Sequence, residues 1–507
     1  MWWRRAFVTV RIGLSLIRIP SALYHTAAGP GISVGAAVRS HRHAAILLTE
    51  IQQSPSATVR GAVNVEAVPL CLRFGGTLTP VNLRDEHALG AIKRTTVDIG
   101  TLPVRNELLD WIRTQRVGGR RVLLVDDGDA ELTQRVAAHL GVFDEVATVQ
   151  GTGTLAQRTR RALVERFGEH GFDYIGGGKD ELPVWAASRR AIVVGDRRLE
   201  ERVARSTQVE RVFGSPKPSL RTWVKAVRLH QWIKNALVFL PALLAHRIMA
   251  PAVLLNAVLA FLAFGCCASS VYITNDLFDL GADRQHRRKR HRPFAAGLLS
   301  VRSGIQSSLI LIVCGALLAI YVGWMFTLVL AAYYVVTWAY SLRLKHVALF
   351  DVMTLAGLYT LRIIAGAAAT RVDLSFWLLA FSAFIFLSLG FVKRYSEIYD
   401  AQKASKDGHA RDYSATDLAV IMSLGTASGY CAVVVIALYI NSSDSIALYH
   451  HHKPLWLLCP LMLFWISRVW MLTARGHMHD DPVVFALRDK ISLAVVALMA
   501  VIVLCSI

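Results

Sequence analysis

The sequence predicts two architectures in one multi-domain chain: an α/β domain on a parallel sheet, then an all-α bundle of nine transmembrane helices. Three observations predict it. Hydrophobic residues make up 54 % of the 507 positions, and in the second half they gather into runs long enough to cross a bilayer. The first half instead alternates short apolar, strand-like runs with helical stretches. Positive charge recurs in every other loop of the apolar half, from a total of 56 Lys+Arg against 36 Asp+Glu and a net charge of +20. This composition excludes intrinsic disorder, and the length exceeds one small domain. The 7 Cys form no CxxC pair, so neither a disulfide framework nor a zinc site follows; they read as small buried apolar residues. The charge excess reads as membrane topology, and no nucleic-acid partner is expected.

Residues 1–60 form a basic extension. Trp2, Trp3, Arg4, Arg5, Arg11 and Arg18 interrupt its apolar residues too often for a spanning helix. A surface helix, a targeting segment and an ill-ordered extension all fit that pattern. Residues 61–215 read as the α/β domain. Strands are expected at Val68–Leu72, Arg121–Val125 and Ala191–Val194, and helices at Asn106–Arg116, Ala130–Leu140 and Leu155–Phe167. Gly214–Pro218, with two Pro and a Gly, reads as a linker.

Residues 223–507 read as the bundle, with apolar segments at about 235–248, 252–274, 303–321, 325–340, 347–369, 375–392, 416–440, 454–472 and 490–507. The loop Asn275–Arg302 carries Arg284, Arg287, Arg288, Lys289, Arg290, Arg292 and Arg302. Later alternate loops carry Arg343 and Lys345, then Lys393, Arg394, Lys403, Lys406 and Arg411, then Arg475, Arg488 and Lys490. The intervening loops Tyr321–Gly323, Thr370–Asp373 and Asn441–Lys453 are nearly uncharged. The basic face is expected in the cytoplasm, together with the α/β domain, and an odd number of spans puts the C-terminus on the opposite side. His450, His451 and His452 fall in a non-cytoplasmic loop, where a solvated run is favoured over a metal site.

The most informative stretch is Asn275-Asp276-Leu277-Phe278-Asp279-Leu280-Gly281-Ala282-Asp283. At helical spacing Asn275, Asp276, Asp279 and Asp283 share one broad face. Three carboxylates crowded at a membrane edge repel unless a cation neutralises them. Hard oxygen ligands favour Mg²⁺, which commonly bridges to substrate phosphates. Lys289 and Arg292 follow at once, so metal and cations together suit a diphosphate. Within the fifth apolar segment Asp351, Tyr359 and Arg362 fall within about 80° of one another on a helix. Two readings stay open: Asp351 orients a ribose hydroxyl while Arg362 holds phosphate, or the two form a structural ion pair.

NDxxDxxxD followed by Arg292-Pro293, at the end of the second apolar segment, resembles the UbiA superfamily of intramembrane prenyltransferases. The resemblance covers about residues 223–507 and implies a nine-helix bundle with a cavity open to the cytoplasm. It also implies that Asp276, Asp279 and Asp283 bind Mg²⁺ and a pyrophosphate, with Asn275 beside them. Further stretches narrow it: Arg228-Leu229-His230-Gln231-Trp232-Ile233-Lys234-Asn235, Tyr340-Ser341-Leu342-Arg343-Leu344-Lys345, Lys393-Arg394-Tyr395-Ser396-Glu397 and Asp480-Asp481-Pro482-Val483-Val484-Phe485-Ala486. These resemble the branch containing decaprenyl-phosphate phosphoribosyltransferase, and they nominate Lys234, Tyr340, Lys345, Lys393, Arg394 and Glu397 for substrate binding. Aromatic prenyltransferases of the superfamily carry a second DxxxD motif after the sixth segment. Here that place holds Lys393, Arg394 and Glu397, a patch that suits a phosphate better than a second metal.

Residues 65–200 resemble a haloacid dehalogenase domain that has lost its acids. Pro69-Leu70-Cys71-Leu72-Arg73-Phe74-Gly75-Gly76-Thr77 stands where that family has hhhDxDGT, so Arg73 replaces the nucleophile and Gly75 the general acid. A guanidinium has no lone pair to offer phosphorus. Asp126 stands where a strand-ending Ser or Thr is usual, Ala156 where Lys is usual, and Gly177 where the first acid of GDxxxD is usual; Glu181 remains. The resemblance implies a catalytically dead phosphatase-like domain; some other α/β domain is the alternative.

The expected function is therefore an integral-membrane, Mg²⁺-dependent transferase of the cell envelope. It would move phosphoribose from phosphoribosyl pyrophosphate to a polyprenyl phosphate lying in the bilayer. An aromatic-acceptor polyprenyltransferase and a non-catalytic membrane scaffold are the alternatives. A homo-oligomer is compatible with the sequence.

Overall fold

The structure, a computed structural model, describes residues 68–93, 98–125, 129–215, 218–403, 412–478 and 481–507. The expectations for residues 1–60, Asp126, Lys406, Arg411 and Asp480 lie outside them.

The α/β region runs β1 (Leu70–Arg73), α1 (Leu83–Lys93), α2 (Asn106–Val117), β2 (Val122–Val125), α3 (Ala130–Leu140), β3 (Glu145–Ala147), α4 (Leu155–Phe167), β4 (Asp173–Gly176), α5 (Leu182–Ala187), β5 (Arg190–Gly195), α6 (Arg197–Val203) and β6 (Gln208–Gly214). All five strand pairings are parallel, in the order β3-β2-β1-β4-β5-β6. Strands β1 and β2 are nearly continuous apolar runs because helices cover both faces. Leu70 and Leu72 pack with Leu108, Ile112 and Val136 on one face, and Cys71 packs with Leu163, Tyr174 and Trp185 on the other. Helices α3 and α4 start at well-formed caps: Asp129 accepts from Leu132 N, and Thr154 and Gln157 make a capping box.

The three strands expected from sequence and the three helices form within two residues of their predicted ends. Strands β3, β4 and β6 escaped the pattern for separate reasons. β3 has only three residues. β4 opens on Asp173, whose fully buried carboxylate is held by Arg120 and by Arg189 at 3.0 and 2.7 Å. β6 is an edge strand whose side chains are mostly exposed.

After α7 (Leu220–Val227), a 3₁₀ run Leu229–Phe239 leads into α8 (Leu240–Leu244). The bundle continues through α9 (Pro251–Phe278), α10 (Leu280–Gln285), α11 (Val301–Val322), α12 (Trp324–Leu342), α13 (Phe350–Thr370), α14 (Phe376–Lys403), α15 (Leu418–Ile440), α16 (Ser443–Leu448), α17 (Leu458–Ala474), α18 (Pro482–Ala486) and α19 (Lys490–Ser506). Among the described residues seven helices are long and apolar enough to cross a membrane, not nine. The first expected segment is split between the end of the 3₁₀ run Leu229–Phe239 and the five-residue α8, near whose start Pro241 removes a backbone donor. The last, α19, has 17 residues and reaches about 25 Å at 1.5 Å per residue.

Helix α13 packs against α8, α9, α12 and α14 at the centre of the bundle. α11 turns Leu309, Ile310, Val313, Leu317 and Ile320 outward, as a lipid-facing helix does. The cysteines depart from the sequence expectation: Cys71, Cys267 and Cys459 are buried, but Cys314, Cys431 and Cys505 are exposed, on α11, α15 and α19. An apolar thiol on an outward-facing bundle surface needs no burial in protein when that surface meets lipid.

Candidate active site

The acidic motif sits where α9 ends. α9 stops at Phe278, Asp279 caps it, and α10 carries Asp283. Asp276 and Asp283 are both buried, at 3 % and 1 % exposure. Asp276 Oδ1 accepts from Arg228 Nη2 at 2.5 Å and from Arg292 Nη1 at 3.1 Å. Arg292 Nη1 also donates to Asp283 Oδ2 at 2.6 Å. Two carboxylates thus converge on one guanidinium, which supplies the positive charge that two buried anions require. Asp279 is exposed and does not join them. The expected three-carboxylate cluster is therefore two carboxylates and a neighbour. Among the described residues no group of three or more His, Cys, Asp or Glu comes together as a metal site, the exposed His450 and His451 included. The physical reason is the break between α9 and α10, which sets Asp279 apart from a continuous helical face. The donors present are hard oxygens, and a small divalent cation is commonly held by one or two carboxylates with substrate phosphate completing its shell. The pair Asp276 and Asp283 fits such an ion.

Next to this end lies a cavity of about 180 Å³ between α9, α12, α13 and α14. Asn275 borders it and donates from Nδ2 to Ser341 Oγ at 3.1 Å. Its walls are rich in hydroxyls from Tyr272, Tyr333, Thr337, Tyr340 and Tyr359, and three cations face it: Lys234, Arg362 and Lys393. Arg362 is 5 % exposed; it donates from Nε to Asn235 Oδ1 at 3.0 Å and from Nη2 to the Tyr333 hydroxyl at 2.8 Å. Its guanidinium also lies 4.7 Å from the Tyr333 ring centroid. Lys234 Nζ donates to Asp481 Oδ2 at 2.6 Å, and the Tyr359 hydroxyl to Asp481 Oδ1 at 3.4 Å. Burial pushes the Asp481 carboxyl up, but Lys234 and Lys393 outweigh it and hold it below the usual carboxylate range.

Several sequence-nominated residues stand elsewhere. Asp351 and Arg394 are fully buried and pair with each other; Tyr413 donates to Asp351 Oδ1 at 2.7 Å, and Glu397 takes the other end of Arg394. The expected stripe Asp351–Tyr359–Arg362 thus divides, with Tyr359 and Arg362 at the cavity and Asp351 in the α13–α14 contact. The expected cationic patch reduces to Lys393, because Arg394 is the next residue on the helix, about 100° round. Lys289 is exposed on a 3₁₀ turn, and Lys345 is half-buried on the turn Leu344–His346, outside the cavity lining.

Arg228, Asn235, Tyr272, Tyr333 and Asp481 enter the site without having been nominated. Arg228 and Asp481 carried a signal, a charge within a stretch that flanks an apolar segment. Asn235 closed the same stretch as Arg228 and Tyr333 carried no signal; each gains its meaning from Arg362, 127 and 29 positions away.

In the α/β region, Arg73 ends β1 beside β4, where the strand order reverses and open parallel sheets bind ligands. Its Nη1 lies 3.2 Å from Glu181 Oε1. Glu181 Oε2 also accepts from Gly177 N at 2.6 Å and Gly178 N at 3.0 Å. Burial raises the Glu181 carboxyl pKa against the pull of Arg73. Gly177 backs onto Gly76, such that a Cβ there would stand 2.5 Å from the Gly76 carbonyl oxygen. Gly75 is buried and bridges to Thr79, and Ala156 is buried within α4. A larger open groove of about 920 Å³ lies against α4, lined by Gly153, Arg160 and Arg161 among others, and by none of these residues.

Comparison with known proteins adds to this geometry. Residues 236–501 match the UbiA prenyltransferase family. Uncharacterized protein y4nM of Sinorhizobium fredii is 37 % identical over 420 residues, which is 82 % of this chain and 81 % of that one. So long a match extends beyond the bundle into the α/β region. Nodulation protein NoeC of Azorhizobium caulinodans is 35 % identical over 280 residues, 54 % of this chain and 89 % of that one. The decaprenyl-phosphate phosphoribosyltransferase of Mycobacterium tuberculosis is 32 % identical over 279 residues, 53 % of this chain and 88 % of that one.

Proposed function

We propose that this chain, which belongs to the UbiA prenyltransferase family and is an integral-membrane transferase, moves phosphoribose from phosphoribosyl pyrophosphate to a polyprenyl phosphate. The observation that carries this reading is the pairing of two charged poles, one at the end of α9 beyond Asn275 and the other facing the hydroxyl-lined cavity that Asn275 borders. One pole is Asp276, Asp283, Arg228 and Arg292; the other is Lys234, Lys393 and Arg362. A donor with a phosphate group at each end of a polyhydroxyl ring matches that layout. An allylic diphosphate, charged at one end and apolar along the rest, leaves the second pole unused.

Asp276 and Asp283 would hold Mg²⁺. When bound, that ion supplies positive charge to the departing pyrophosphate. Arg292 and Arg228 bring further positive charge to the same end. Lys234, Lys393 and Arg362 hold the ring-side phosphate, and Asp481 fixes the direction of the Lys234 ammonium. The tyrosine hydroxyls orient the ribose. The bond from the anomeric carbon to the pyrophosphate oxygen breaks through an oxocarbenium-like state, and a bond to an oxygen of the lipid phosphate forms. That phosphate is already anionic at neutral pH, so no strong base is required, and positioning and charge carry the catalysis.

The basic loops belong in the cytoplasm by the positive-inside rule, and the α/β domain with them. That domain is a phosphatase fold without activity. Supporting this, a guanidinium tied to Glu181 fills the tip of β1, and Gly177 has no room for an acid.

The test supplies purified full-length protein with Mg²⁺, a polyprenyl phosphate and labelled phosphoribosyl pyrophosphate. Label should enter the lipid phase and be lost with EDTA. No label, with activity instead on a prenyl diphosphate and 4-hydroxybenzoate, would refute phosphoribosyl transfer.

A further inference from the structure

The α/β region touches the bundle at the loop that closes the acidic motif. Arg284 directly follows Asp283, and Ala295 lies three residues after Arg292. Arg284 Nε donates to the Ala295 carbonyl at 3.2 Å, so one side chain ties together the two ends of the loop that carry Asp283 and Arg292. The rest of that guanidinium is taken from the other half of the chain. Its Nη1 and Nη2 donate to Glu86 Oε2 and Oε1 at 3.2 and 2.7 Å, a bidentate pair from α1. Arg284 and Glu86 are both buried, their side chains 5 % and 6 % exposed.

The contact around this pair is close. Leu89 of α1 packs in one apolar cluster with Ile273, Leu277, Leu280, Phe294 and Leu299 of the motif region. Gly297 takes φ +69°, and a Cβ on it would stand 2.7 Å from Pro80 Cγ, so glycine lets this turn pack against the Pro80 ring. The facing loop is itself pinned: Thr79 Oγ1 donates to the Pro103 carbonyl at 2.6 Å and Arg105 Nη1 to the Thr77 carbonyl at 2.9 Å. At the edge, Gln285 Nε2 donates to Asp98 at 3.2 Å.

We infer that the α/β region is a working part of the transferase site, with Glu86 and Arg284 as positioning residues that hold Asp283 and Arg292 in register. Without Glu86, a buried guanidinium loses its counter-charge and must turn toward water. Its bond to the Ala295 carbonyl goes with it, and the loop that presents Arg292 to Asp276 and Asp283 loosens. A domain without chemistry of its own thereby serves the chemistry of the other.

The inference rests on the phosphoribosyl-transfer reading only for its kinetic readout. Full-length Glu86→Ala protein in detergent is compared with wild type in two measurements. Amide hydrogen exchange across residues 280–299 should quicken about tenfold, since local opening follows the loss of fixed contacts. The KM for phosphoribosyl pyrophosphate should rise about tenfold while the KM for polyprenyl phosphate holds, because the loop faces the donor. Glu86→Gln, which keeps acceptors but not the charge, should fall between, and it carries the same comparison if Glu86→Ala does not fold. Unchanged exchange, or an unchanged donor KM in folded active protein, overturns the inference. If wild type transfers no phosphoribose at all, the proposed function falls and hydrogen exchange alone decides the brace.

Discussion

At the scale of single residues, the arginines decide how the site works as an electrostatic device. Asp276 and Asp283 are buried and offer hard oxygens, and Arg292 bridges them. Asp276→Asn removes one anion from that bridge and is expected to lower kcat/KM by about 10²- to 10³-fold, the usual scale for an electrostatic group in a site. Steady-state assay against the folded variant checks it. Lys234→Met is expected to act differently, raising the donor KM at least about tenfold with a smaller change in kcat, because a phosphate clamp binds ground and transition states alike. Asp481, with its carboxyl held below the usual range, keeps its charge through neutral pH and loses it only as pH falls into the acid range. A donor KM that is flat around neutrality therefore accords with an intact Lys234–Asp481 pair. The acidic motif and Lys234 were legible as residues of interest. Which of them share a partner was not, because Arg228, Asn235 and Asp481 meet their partners from 48 to 247 positions away along the chain.

At the scale of elements, α13 and α14 show how a membrane helix pair stores its polar residues. Asp351 and Arg394 are fully buried in the contact between them, with Glu397 and Tyr413 completing the cluster. Periodicity placed Asp351 on the same stripe as Tyr359 and Arg362, but the stripe is broad, and its two ends face different neighbours. Arg394→Leu leaves the buried Asp351 carboxylate without its counter-charge and is expected to cost about 3–5 kcal/mol, while pairing it with Asp351→Leu should restore most of the loss. Thermal denaturation in detergent measures both. The same reasoning accounts for the strands that sequence pattern missed. β4 hides a carboxylate that Arg120 and Arg189 neutralise from outside the strand, and no local pattern announces that compensation.

At the scale of the whole molecule, the order of the parts was legible throughout. An α/β region on a parallel sheet precedes an apolar helical bundle, because runs of about 20 apolar residues and short apolar runs alternating with helical stretches are distinct signals. The proposed sidedness predicts that a cysteine placed at Arg290 is labelled by an impermeant thiol reagent only after the membrane is opened, and one placed at His450 before. The reverse pattern would overturn it. The proposed phosphatase-like reading of the α/β region predicts that Arg73→Asp with Gly75→Asp gives no phosphatase activity on p-nitrophenyl phosphate, since Gly177 has no room for a third acid. The sequence by itself determined the two architectures, the acidic motif and the basic loops, because each is written in local spacing or residue type. Only the tertiary structure decided that Arg292 joins Asp276 to Asp283, that Arg394 belongs to Asp351 and not to the cavity, and that Glu86 grips the motif loop. Those are pairings between distant positions, and a buried charge accepts whichever partner the packing brings within reach.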